Sequence, residues 1–252
     1  MRGEKNLTLA FGGDSILYLS IPAFFSAAEK YNIEFEEIHC TGFSCIPAYF
    51  YLKTQSSSTS YLYSKKLYLE LKKTFHFLFG LNLFGITEQL RTLYKASRSL
   101  NGFKSEKVLI NFVDKFFVDE PIPEKLKIHA FNINTFNDEI LKGSLKEALI
   151  KTLSIPIEFK PYNGYITGSW VYGIPEADFL FYIENENEYT LKNAVDYMIV
   201  STIHRTKQIA KKRLENANHK IVINTKSKNP FEISTTILNI SEKYLGGLIN
   251  EK

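Results

Sequence analysis

Scarcity is the first guide to this chain. Its 252 residues contain only two cysteines, Cys40 and Cys45. Two thiols five positions apart cannot staple so long a chain, so both are expected as buried free thiols in a reducing compartment. Long apolar runs are missing too. No stretch reaches the roughly 18 uninterrupted apolar residues of a membrane span, and residues 1–6 lead into the first apolar run without a secretory core. A soluble, cytoplasmic protein is expected. An excess of one charge is also absent: 31 Lys and Arg against 27 Asp and Glu leave a net +4, spread along the chain. Such a balance gives no nucleic-acid footprint, and no nucleic-acid partner, metal or cofactor is expected.

What is present is a globular composition, 44% hydrophobic, of a length suited to one large domain. The apolar run 7–11, closed by Gly12-Gly13-Asp14, predicts a buried strand ending in a turn. Ile21, Phe24, Phe25 and Ala28 repeat at helical spacing behind Ser20, a candidate N-cap, and Pro22 in the first turn. Strands are predicted at 35–40, 126–133, 179–183 and 220–223, and helices at 48–52, 104–113, 143–153, 191–214 and 232–248. The last helix is expected to stop at Gly246-Gly247. Residues 56–60 are serine-rich and predict a connector, and 61–100 a helical stretch. Strands alternating with helices make an α/β domain with a mostly parallel sheet. The whole chain, 1–252, is expected to be one such domain, with a helical aromatic- and lysine-rich cap at about 56–102.

The segment His39-Cys40-Thr41-Gly42-Phe43-Ser44-Cys45-Ile46-Pro47 carries the chemical signal. Gly42 and Ser44 fit a Gly-x-Ser-x-Gly elbow in which Ile46 replaces the second glycine. A serine between a strand and a helix lies beside backbone N–H groups that favour developing negative charge. Gly12-Gly13 follows the first strand, where an oxyanion loop would stand. Ser154-Ile155-Pro156, Phe159-Lys160-Pro161 and Asn163-Gly164, with Pro175 beyond, complete the pattern.

Together these pieces resemble the patatin-like phospholipases, lipid acyl hydrolases with a Ser-Asp dyad. The resemblance implies a three-layer α/β/α sandwich, Ser44 in the nucleophile position and Gly12 and Gly13 in the oxyanion loop. It sets Thr167 where the dyad aspartate belongs; the other register, through Asn163, supplies no carboxylate either. Threonine cannot accept the serine's proton near neutral pH. Ser15, Ile16, Ile46 and Thr167 all depart from the family at its catalytic motifs, so the resemblance implies a degenerate member that binds lipid or acyl chains and cleaves them weakly or not at all.

Two alternatives stand beside it. An active esterase could recruit Asp14 as a substitute base, and a scaffold could serve protein interaction alone. His39, on the strand before the elbow, is expected to be structural rather than part of a triad, and Asp178 to cap its strand. Residues 61–85 interleave aromatics with Lys65, Lys66, Lys72 and Lys73. That pattern suits either ordinary packing or peripheral contact with an anionic bilayer. The basic cluster 207–213 complements a helix C-terminus.

Overall fold

A computed structural model describes residues 7–75, 104–186 and 194–250. The chain begins with β1 (Thr8–Phe11), a 3-10 turn (Ile16–Ser20) and α1 (Pro22–Lys30). Next come β2 (Glu37–Thr41), a second 3-10 turn (Gly42–Ser44), α2 (Cys45–Thr54), α3 (Ser57–Thr74) and α4 (Glu106–Phe116). Then follow β3 (Leu126–Asn132), β4 (Asn137–Ile140), α5 (Leu145–Leu153), β5 (Tyr165–Thr167), β6 (Phe179–Asn185), α6 (Ala194–Asn216), β7 (His219–Thr225) and α7 (Ser234–Asn250).

The strands form one seven-stranded sheet in the order β4-β3-β2-β1-β6-β7, with β5 also on β3. β3, β2, β1, β6 and β7 run parallel, whereas β4 and β5 pair antiparallel to β3. Alternation along a strand divides the side chains between two faces. One face carries Leu9, Phe11, Ile38, Phe179 and Phe181 against Phe24, Phe25 and Phe35, their rings mostly edge-on or tilted with centroids 5.2–5.9 Å apart. α6 lies on the opposite face, where Lys211 pairs with Glu184 at 3.0 Å and the Lys207 Nζ donates to the Asn185 carbonyl at 2.5 Å. The result is the expected three-layer α/β/α sandwich. Asp178 ties the starts of β6 and β1: its carboxylate accepts from the Thr8 amide at 3.1 Å and the Thr8 hydroxyl at 2.8 Å.

Several local expectations change. Serines 56–60 do not make a connector. Ser56 caps α3 by accepting from the Thr59 amide, and Ser57, Ser60 and Ser64 form the buried side of that helix. Small side chains allow close approach, and two of the hydroxyls find partners across the contact: Ser57 Oγ donates to Glu29 at 2.6 Å and Ser60 Oγ to the Pro47 carbonyl at 2.8 Å, while Ser64 Oγ is buried without one. α3 thus packs on α1 and α2 as part of the body; residues 76–103 of the expected cap lie outside the described residues. Ser20 is not the cap of α1. It ends the preceding 3-10 turn, donating to the Leu17 carbonyl at 2.5 Å, and Ile21 takes the cap position without a side-chain bond. α7 runs through Gly246-Gly247 to Asn250, because Gly246 is where the helix passes the Tyr31 hydroxyl and a Cβ would crowd it at 2.9 Å.

Candidate functional site

The site of interest lies at the C-terminal ends of β1 and β2. β2 ends at Thr41, and the next residue, Gly42, opens the 3-10 turn with φ +61° before the chain enters α2. Only glycine takes that left-handed conformation at little cost. The sharp strand-to-helix turn, where an elbow places its nucleophile, is therefore made at Gly42, two residues ahead of Ser44. Ser44 has helical angles, φ −65° and ψ −24°, and is fully buried. Its hydroxyl donates to the Thr41 carbonyl at 2.9 Å and accepts from the Thr41 amide at 3.2 Å. That is a capping role: the hydroxyl satisfies the last backbone groups of a strand as the chain turns into a helix. Ile46 is completely buried one turn further on and belongs to the core rather than to the mouth of a cleft.

Around Gly42 the backbone amides are committed to partners, while the buried Thr41 hydroxyl has none. Its amide donates to Thr152 Oγ1 at 2.8 Å, and that hydroxyl donates to the His129 carbonyl at 2.7 Å. The next amide, of Phe43, donates to the Gly13 carbonyl at 3.2 Å. A Cβ added to Gly42 would drive into that carbonyl oxygen and lie 3.1 Å from both Thr167 Oγ1 and Ser169 Oγ. Thr167, at the end of β5, therefore faces Gly42. It shares a 2.8 Å hydrogen bond with Ser169, and both side chains are buried. Gly13 is equally constrained, for a Cβ there would overlap the Thr41 carbonyl. The loop after β1 thus presses its backbone onto the turn after β2.

The loop after β1 has a different character. Gly12 donates to the Phe181 carbonyl at 3.4 Å, and Ser15 caps the following 3-10 turn by accepting from the Leu17 amide at 3.2 Å. Between them Asp14 encloses its Oδ1 without a hydrogen-bond partner. Burial pushes this carboxyl up to about 6, against a lowering by Lys207 and by its own amide. Its charge acts on Tyr18, whose phenol burial pushes well above the ordinary value and whose hydroxyl accepts from the Ile183 amide at 3.0 Å. Asp14 thus faces the β6 side of the sheet.

Other predicted residues have structural places. Cys40 and Cys45 are buried free thiols; burial, with Cys45 beside it, pushes Cys40 well up. Asp178 anchors two strand starts, as described above. His39 bonds to His129 and Glu37, not to Ser44. Sequence reasoning missed Gly42 as the turn residue and Thr152 as its partner; the usable signal was the first glycine after the apolar run. Among the described residues no group of three or more His, Cys, Asp or Glu side chains could hold a metal ion. No described helix is long and apolar enough to cross a membrane. A scan against protein-family models finds no match to this chain, and a search of curated proteins finds none at a significant level.

Proposed function

We propose that this chain is a non-hydrolytic protein of the patatin-like type, which keeps the scaffold of a serine lipid acyl hydrolase and binds lipid or acyl chains without cleaving them. The observation that carries this reading is Gly42 at the left-handed turn. Moving the elbow pattern two residues toward the N-terminus lays Cys40, Gly42 and Ser44 on Gly-x-Ser-x-Gly, with glycine in the nucleophile's place and Thr167 opposite. Acyl transfer through a dyad needs a nucleophile, a base and free donors for the oxyanion. Here the first is a hydrogen atom, the second a threonine, and the Phe43 amide is bonded to Gly13.

Support for a lipid partner comes from the outer side of α3. Leu62 and Leu69, each about two-thirds exposed, share a helical stripe with exposed Lys65, Lys66, Lys72 and Lys73. Apolar side chains among lysines suit peripheral contact with an anionic bilayer. The test is a fluorophosphonate probe together with native mass spectrometry and flotation on anionic vesicles. The expected result is no labelling, with bound lipid or vesicle association that falls when the four lysines are neutralised. Labelling that disappears in Ser44→Ala overturns the non-hydrolytic reading. Silence of all three assays overturns the lipid reading and leaves a protein-interaction scaffold.

One observation favours the rival esterase: a carboxyl raised to about 6, as Asp14 is, approaches the affinity of a general base. Against it, the Ser44 hydroxyl is committed to Thr41 on both its donor and acceptor sides.

A further inference from the structure

A second polar cluster lies on the α6 face of the sheet. His39 on β2 and His129 on β3 present their rings to each other, with His39 Nδ1 2.9 Å from His129 Nε2 and the planes inclined by 42°. The outer nitrogen of each ring meets a carboxylate: His39 Nε2 lies 3.1 Å from Glu37 Oε2, and His129 Nδ1 lies 2.8 Å from Asp138 Oδ2. Glu37 is held in turn by Lys127 at 3.0 Å, and Asp138 accepts from the Tyr172 hydroxyl at 2.7 Å.

Counting protons exposes a deficit. Three contacts along the line Glu37–His39–His129–Asp138 require three protons, and two neutral imidazoles carry two. If both outer nitrogens donate to carboxylates, the inner nitrogens aim lone pairs at each other across a hydrogen-bond distance. We propose that His39 and His129 hold one extra proton in common, forming an imidazole–imidazolium clasp that joins β2, β3 and β4 and opens when that proton is lost or a second is added. Only N–H bonds form or break, and the proton exchanges with water.

The surroundings favour placing it on the rings. Lys127, followed by the His39 charge, holds Glu37 below the usual carboxylate range, so Glu37 stays ionised. Burial, then the adjacent imidazole, pushes His39 below the ordinary histidine value. A neutral His39 that donates to Glu37 offers its Nδ1 as the acceptor toward His129. The other charged groups facing the cluster are Asp138 on β4 and Arg213 of α6, whose guanidinium lies 4.7 Å from the centre of the Tyr172 ring. The clasp is also mechanically close to the Gly42 turn, because the His129 carbonyl holds the Thr152 hydroxyl that receives the Gly42 amide. The proposal is independent of any lipid reading.

The pH dependence has two limbs. A proton that the two rings share stabilises the fold while it is bound, so that stabilisation disappears as rising pH removes it. On the acid side the fold resists the second proton, which the unfolded chain accepts freely. Stability therefore also falls as pH drops below about 6.5 toward the depressed value of His39.

Nitrogen-15 NMR of the imidazoles in the full-length chain, from pH 5 to 10, tests this directly. At pH 7.5 one proton should correlate with both inner nitrogens, and that correlation should disappear as the pH is raised. His39→Gln should abolish the alkaline limb of the thermal midpoint profile; if that variant does not fold, the wild-type spectra decide alone. Inner nitrogens both bare or both protonated at pH 7.5 overturn the proposal. So does a stoichiometric metal ion on elemental analysis with inner nitrogens insensitive to pH.

Discussion

The two turns that end β1 and β2 touch, yet they handle polarity differently. The turn after β2 commits its backbone, the Thr41 amide and carbonyl to Ser44, the Gly42 amide to Thr152 and the Phe43 amide to Gly13, and leaves a neutral hydroxyl, that of Thr41, buried without a partner. The turn after β1 leaves one carboxylate oxygen of Asp14 enclosed and unpaired. An active elbow keeps donors unspent at the nucleophile, where charge will develop. In this chain the unpaired ionisable group stands in the neighbouring loop, and the turn where a nucleophile was expected is a joint held by its backbone amides.

Breaking the joint should have the largest effect. Gly13→Ala forces a Cβ into the Thr41 carbonyl, backbone against backbone with no flexible group to yield. It should cost more than about 4 kcal/mol and leave little folded protein at 37 °C, read by urea denaturation and soluble yield. Gly42→Ser tests whether the turn can be reopened. It adds left-handed strain of roughly 1–2 kcal/mol to a clash with the Gly13 carbonyl, about 3 kcal/mol in all. Fluorophosphonate labelling should stay absent, since the Phe43 donor and the base are still missing; strong labelling would show that one side chain separates this joint from a working elbow.

The opposite sign is expected in the other turn. Because Asp14 is raised from 3.8 to about 6 in the fold, the folded state holds the extra proton between those values. Wild-type stability then falls as pH rises from about 4 to about 6, and the full penalty persists above. Asp14→Asn should remove that dependence and raise stability at pH 7.5 by up to about 3 kcal/mol, measured by thermal unfolding across pH. A variant less stable than wild type at pH 7.5 would mean that the enclosed oxygen has a partner in solution. Smallest is Ser44→Ala, which should cost about 1–2 kcal/mol with no change in esterase background.

How much of this was legible in one dimension depended on the range of the interaction. The strand at β1 was, because an apolar run closed by two glycines has few other readings. The α/β alternation followed from the same local logic. The serines that open α3 misled, since serine favours connectors until a spatial neighbour such as Glu29 or the Pro47 carbonyl satisfies its hydroxyl in a close helix contact. β4 was silent: its Asn137–Ile140 sequence is polar, mostly exposed and at the sheet's edge, so no alternation marks it. The sequence pattern centres an elbow on Ser44, whereas the left-handed backbone falls at Gly42. Glycine and serine spacing fits two registers, and only the backbone angle at Gly42 separates them. The bond between His39 and His129 spans 90 positions and left no local trace.

The placement of β1 has a consequence for how the protein must be made. Its edge toward β2 is covered by a strand that soon follows, but its other edge waits for β6, and the Thr8–Asp178 tie joins residues 170 positions apart. At ribosomal rates of about 5–20 residues per second, that edge stays open for roughly ten to thirty seconds. During that interval the apolar strand beside Phe11 is a template for any passing strand. The nascent chain is therefore expected to depend on holding chaperones more heavily before β6 emerges than after it.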